Sequence, residues 1–117
     1  MATTYYTTDA IVKARLNEIA TGTLTDSNIQ DNIEMAEGMI DCVMRTSFKT
    51  TFDATKHGLI REAATSLATF MCLVHDAETN FNSASSAALT ADLLWSSSDR
   101  ALSILADQNV VTYLQGL

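Results

Sequence analysis

The sequence predicts an all-α fold: a small bundle of four main helices, with an extended arm between the second and third and a mobile C-terminal tail. Three observations carry this. There is no proline and there are four glycines in 117 residues, so long stretches run without a helix breaker. Apolar residues recur at steps of three and four in successive segments, the spacing of one helical face. No internal repeat divides the chain, and its length fits a single domain spanning 1–117. At 12.7 kDa the chain is long enough to bury roughly two-thirds of its unfolded surface without staples.

The first helix is expected over Asp9 to Ile19, after an extended Thr4-Tyr5-Tyr6-Thr7. Thr7 or Thr8 is its N-cap, and Asp9 sits where the helix dipole favours a carboxylate. Ile11, Val12, Leu16 and Ile19 form its apolar stripe, and Gly22 is placed for a left-handed cap. The second helix opens at Thr25-Asp26, with Leu24 positioned as a hydrophobic staple on Ile29. Ile29, Ile33, Ala36, Ile40 and Val43 recur at helical spacing. Asp31, Glu34, Glu37 and Asp41 lie off that stripe and read as a solvated face. Gly38 costs about 1 kcal/mol against alanine in mid-helix, and leaves room for another helix to approach closely.

Residues 46–57 change character. Four threonines and two phenylalanines favour extended or irregular backbone, and no helical stripe persists. An exposed arm or hairpin is expected, closed by Gly58, and connections of that length are usually functional. The third helix, Leu59 to about Ala77, carries Ile60, Ala63, Ala64, Leu67, Ala68, Met71 and Val74 on a wide apolar face and reads as the central helix. A polar linker over 78–86 precedes a fourth helix from about Ala87 to Asp107. Its stripe is Leu89, Leu93, Leu94, Ala101, Leu102 and Leu105, weakened by Ser96-Ser97-Ser98. The tail 108–117 is apolar and finds no evident partner in so small a domain, so its removal is expected to leave a folded chain.

Composition narrows the function. The net charge is −7, against a nucleic-acid reader, which needs clustered Lys and Arg. Residues 1–44 hold seven carboxylates against two basic side chains, and 62–117 hold six against one. Between them, 45–61 hold Arg45, Lys49, Lys56 and Arg61 against Asp53. A basic band between acidic blocks suits docking to an acidic neighbour. No apolar run reaches the ~20 residues of a membrane span, and Met1-Ala2-Thr3-Thr4 lacks the features of a signal peptide. A soluble chain made in the cytosol is expected, with no membrane partner. Cys42 and Cys72 then read as buried small hydrophobes in a reducing compartment.

Catalytic patterns are missing from the sequence. His57 and His75 have no metal-ligand pattern around them. Cys72 and His75 lie three apart on one helix, but two ligands fall short of a zinc site. Asp26 to Asp31 lacks the glycine and terminal glutamate of a calcium loop. There is no phosphate loop, dinucleotide fingerprint or nucleophile elbow. Neither an enzyme nor a cofactor is expected.

One resemblance gives these elements a context. Tyr5-Tyr6-Thr7-Thr8-Asp9-Ala10-Ile11-Val12-Lys13-Ala14-Arg15-Leu16 is similar to the opening of the head–tail adaptor (head completion, or connector) proteins of tailed bacteriophages. Leu24-Thr25-Asp26, continued by Ile29, Ile33, Ala36, Ile40 and Asp41, resembles that family's second-helix pattern. Ile60-Arg61-Glu62-Ala63-Ala64 resembles the start of its Ala-rich helix. The match covers roughly residues 5–76. The resemblance implies a structural virion protein, made in the host cytoplasm and located in the neck between capsid and tail. There it would form a ring, commonly of twelve copies, that joins the portal protein to the tail or next neck protein and helps retain packaged DNA. DNA would pass through the channel without specific binding. By position, the contacts to portal or neighbouring subunit fall on 46–57 and 108–117. The residues so marked are Arg45, Lys49, Phe52, Lys56, Val110, Val111, Tyr113, Leu114 and Leu117. Two alternatives remain open: a small acidic helical module that mimics nucleic acid and captures a basic protein, and a neighbouring tail-completion protein. A mimic needs Asp31, Glu34, Glu37 and Asp41 massed on one exposed surface.

Overall fold

Local sequence sets where each helix begins. In the computed structural model, which describes residues 4–16, 25–79 and 84–117 (backbone alone at 16, 75–79 and 84–92), the Thr8 hydroxyl accepts the N–H of Ile11 and opens helix α1, Asp9–Leu16. The Thr25 hydroxyl accepts the N–H of Asn28 and opens α2, Asp26–Met44. Asp26 to Asp31 thus form the first turns of a helix, as the Thr25-Asp26 start predicts. The Gly22 cap, the Leu24 staple and Ile19 lie outside the described residues. Helix α3, Gly58–Thr79, and helix α4, Ala84–Leu105, complete the four expected helices. The chain is all-helical, and no strand occurs among the described residues.

Helix α3 is central, packing against α1, α2 and α4. Two clusters of buried side chains line it. One joins Val12, Ile29, Ile33 and Ala36 to Leu67, Ala68 and Cys72. The other joins Tyr6, Ile40, Met44 and Phe48 to Ile60, Ala63, Ala64, Ala101 and Leu105. The stripe read for α2 is thus its core face, with Val43 half-buried at the edge. Ser96-Ser97-Ser98 does not interrupt α4. The Ser98 hydroxyl donates to Leu94 O (2.8 Å), so its polar group is satisfied inside the helix, where Ser98 is buried.

The C-terminal segment corrects the expected tail. Residues Gln108–Gln115 form a fifth helix, α5, whose Asp107 cap accepts the N–H of Asn109. Val111 and Leu114 are buried in the second cluster, and the Gln108 side chain donates to Met44 O (3.2 Å). The apolar tail therefore has an internal partner. Its buried valine and leucine lie three residues apart, as a short amphipathic helix requires. Two further corrections concern α2. Cys42 is exposed, whereas Cys72 is buried as expected. An added Cβ at Gly38 would meet nothing within 4 Å, so no described element uses the room that glycine leaves.

Gly38→Ala should stabilise the fold by about 0.5–1 kcal/mol, because it removes a helix-propensity cost without a clash. Unchanged or lower stability in urea unfolding would refute the open site. Deleting 108–117 should lower stability by on the order of 3–5 kcal/mol, the burial energy of Val111 and Leu114. A deletion that melts like the full chain would show that α5 does not belong to the core.

Candidate functional site

The N-terminal segment is held by an acidic side chain that helical periodicity placed on a solvated face. Glu37 is fully buried, and its carboxylate accepts three successive backbone N–H groups. Tyr5 N–H donates to Oε1 and Oε2 (3.0 and 2.9 Å), and the N–H groups of Tyr6 and Thr7 donate to Oε2 (2.6 and 3.3 Å). Consecutive amides converging in this way form a concavity suited to an anion, and here the anion is internal. From α3, Arg61 Nε donates to Tyr6 O (3.0 Å), and the Thr65 hydroxyl lies 2.8 Å from that of Thr7. The segment is clasped between two helices.

The Tyr6 side chain carries the clasp onward. Its hydroxyl donates to Asp41 Oδ1 (2.5 Å) and accepts the N–H of Phe48 (2.9 Å). Burial, with the bond to Asp41, pushes the phenol up to about 12. Phe48 is buried, so residues 46–57 are anchored at that point rather than free. They form tight turns and not a hairpin: Thr51 N–H bonds Phe48 O, and Asp53 caps the turn by accepting the N–H groups of Thr55 and Lys56. His57 closes the segment from within. Its Nδ1 accepts the N–H of Asp53 (3.0 Å), which leaves Nε2–H to donate to Leu114 O (3.0 Å) on α5. The His57 ring meets Phe48 edge-on and Phe52 at a tilt, and Tyr6 packs against Phe52.

This arrangement sorts the expected contact residues. Val111 and Leu114 are core and are not available to a partner; Val110 is half-buried against the same cluster. Phe52 is half-buried under the Arg61 guanidinium (5.5 Å). Lys49 turns inward, 3.5 Å from Asp41 and over the Tyr5 ring. Arg45 is exposed and ends α2 in a left-handed conformation (φ 60°). Lys56, Tyr113 and Leu117 are exposed, Tyr113 by 67%. The basic band is thus partly used inside the chain.

Two apolar surfaces escaped the sequence reading. At about 100° per residue, Met35, Met39 and Cys42 lie on the flank of α2 opposite Glu37 and Asp41, and all three are exposed. On α4, Leu93 is 66% exposed and Ile104 is 47% exposed. Leu93 was expected in the stripe of its helix; the core instead takes Ser98, Ala101 and Leu105, with Ser98 about 140° away from it. Leu93 and Ile104 line a shallow groove of about 340 Å³ with Leu59, Glu62 and Arg100. Glu62 is paired with Arg15 of α1 (2.6 Å), and that guanidinium holds its carboxyl below the usual range. The signal available was weak: two methionines one turn apart, off the apolar stripe of α2.

Among the described residues, no group of three or more His, Cys, Asp or Glu could hold a metal ion. No described helix is long and apolar enough to cross a membrane. The Cys72 thiol, which accepts from the Asn32 amide, is pushed up by burial. Compared with family models, curated proteins and solved structures, the chain matches none.

Burial pushes the Glu37 carboxyl above its ordinary range, against the opposing pull of the three N–H donors and of Lys49. A raised folded-state value means that this group adds stability at low pH, and that the gain is lost as pH rises through the raised value. The stability of the parent relative to Glu37→Gln should therefore increase as pH falls from 7 toward 4.5. Glu37→Ala should cost about 2–4 kcal/mol at neutral pH, because it orphans the three donors. Urea unfolding across that range checks both, and a pH-independent difference between parent and the glutamine variant would refute the first.

Proposed function

We propose that this chain is a structural adaptor of a tailed-phage neck, a ring-forming virion protein that joins the portal to the tail or next neck component and helps retain packaged DNA. The observation that carries the reading is the scatter of its exposed apolar side chains. Among the described residues they are spread over the chain: Tyr5 before α1, Met35 and Met39 on α2, Val74 on α3, Leu93, Trp95 and Ile104 on α4, and Tyr113 with Leu117 at the end of the chain. A small-molecule site concentrates its apolar and polar groups in one cavity. A subunit of a ring must meet two copies of itself and a further partner, so it needs several unlike surfaces.

The residues behind the family resemblance support the same reading. Tyr6, Asp41 and Arg61 take part in the clasp, and Ile40 in the α2–α3 seam. The acidic excess suits a channel wall past which DNA slides. Under this reading the portal contact falls on the end built from residues 46–57 and α5, where Arg45, Lys56, Tyr113 and Leu117 are exposed. No catalytic role is assigned. A tail-completion protein would differ in its partners and is separated by the same experiment.

The nucleic-acid mimic is less well supported. Of its four required carboxylates, Glu37 is buried and Asp41 is engaged by Tyr6 and Lys49. That leaves Asp31 and Glu34 exposed on α2.

Light scattering on a sizing column, with the protein alone and with a candidate portal, tests the proposal. A ring-sized species, alone or formed with the portal, is the expected result. The double variant Tyr113→Asp, Leu117→Asp should keep the fold and lose portal attachment at least tenfold. A strict monomer indifferent to portal would overturn the adaptor reading.

A further inference from the structure

We infer that the α2 flank bearing Met35, Met39 and Cys42 seats in the α4 groove of a second copy of this chain, making a head-to-tail contact. The inference rests on the ring reading and names the two surfaces that would mate. The first argument is shape. Met35 and Met39 are one helical turn apart, the spacing with which a helix lays an apolar row into a groove. Gly38 lies beside them on the outward face with open space around its Cα, so the ridge is low there and a partner helix can come close. Leu93 and Ile104, eleven residues apart on α4, span about 16 Å along the helix. The row from Met35 to Cys42 spans about 10 Å and fits between them. Methionine's flexible thioether adapts to such a groove.

The second argument is charge. Helix α2 contains no lysine or arginine; the exposed Asp31 lies one turn before Met35 on the methionine flank, and the exposed Glu34 lies across the outward face, about 100° from Met35. The groove on α4 carries Arg100, exposed and located between Leu93 and Ile104, and Arg100 is the one basic residue in 62–117. Glu62, the acidic residue on the groove's wall, is already neutralised by Arg15. An acidic ridge therefore faces a groove that carries a guanidinium, the side chain best suited to an interfacial carboxylate. The two surfaces differ from each other and sit on different helices. Their contact is therefore heterologous: each copy offers a ridge to one neighbour and a groove to the next, as a closed ring requires.

The test uses the full-length chain. Cys42 is exposed and Cys72 is buried, so a short bis-maleimide should report on the α2 surface. In an Ile104→Cys variant, the reagent should link Cys42 of one copy to position 104 of the next and give a ladder of dimers, trimers and higher species. Gly38→Gln should raise the melting temperature, through better helix propensity, yet reduce the ladder and any ring-sized species at least tenfold. Arg100→Glu should weaken both, and Asp31→Lys with Glu34→Lys should restore them in that background. Three outcomes would overturn the contact, and one the ring on which it rests. Linkage that stops at dimers, in the parent as in the Ile104→Cys variant, would mean that α2 faces α2. A ring-sized species that survives Gly38→Gln, with no ladder, would reject this pairing while leaving the adaptor reading intact. A ladder without any ring-sized species, with or without portal, would show open chains rather than rings. A parent chain that stays monomeric with no ladder at any concentration would reject the contact and the ring together.

Discussion

The structure depends on one buried carboxylate. Glu37 accepts three successive amides of the N-terminal segment, and from that anchor a relay of contacts crosses the molecule. Glu37 fixes the backbone at Tyr6, and the Tyr6 hydroxyl fixes Phe48. Phe48 packs on His57, and His57 holds the last turn of α5 through Leu114 O. Segments that lie far apart in the chain are thereby tied into one end of the molecule. Most of these ties are hydrogen bonds between buried groups, so removing one member leaves its partner unsatisfied. Such networks are costly to break for that reason, beyond the worth of any single bond.

The opposite end of the molecule is organised differently. Around Val12, Ile29, Ile33, Leu67 and Ala68 the buried groups are chiefly apolar, and small residues on α3 let α1 and α2 come close. Ion pairs there are peripheral: Lys13 with Asp26 and Arg15 with Glu62 are both exposed and worth little on their own. The fold thus combines a core held by area with an end held by directed hydrogen bonds. The directed end is the one that gathers three irregular or short segments, where apolar area alone would be too small to order them.

This division explains what could be read from the sequence. Helices α1 to α4 were legible because each carries an apolar stripe at helical spacing, and Thr25 announced its own cap. The stripe of α2 became its core face residue for residue up to Ile40. The relay was not legible. Glu37 lies on the flank of that stripe, and nothing local tells a solvated carboxylate from one whose donors lie about thirty residues away. The C-terminal helix was hidden by its eight-residue length, which gives periodicity little to work on, and by a partner formed from Met44 and His57. Leu93 illustrates the reverse error. Leu93 and Leu94 are adjacent, about 100° apart on the helix, and packing rather than composition decides which one turns inward.

The outward surfaces arise from the same constraint. Helix α2 is bounded on one flank by the clasp, through Glu37 and Asp41, and on its core face by α3. The flank that remains is the one carrying Met35, Met39 and Cys42, and it is exposed. The internal network and the exposed apolar row therefore use opposite sides of one helix. A change on the methionine side need not disturb the carboxylate side, since no described side-chain hydrogen bond joins them. If copies of this chain meet through that flank, as proposed, selection could alter the contact without unmaking the network that lets each copy fold.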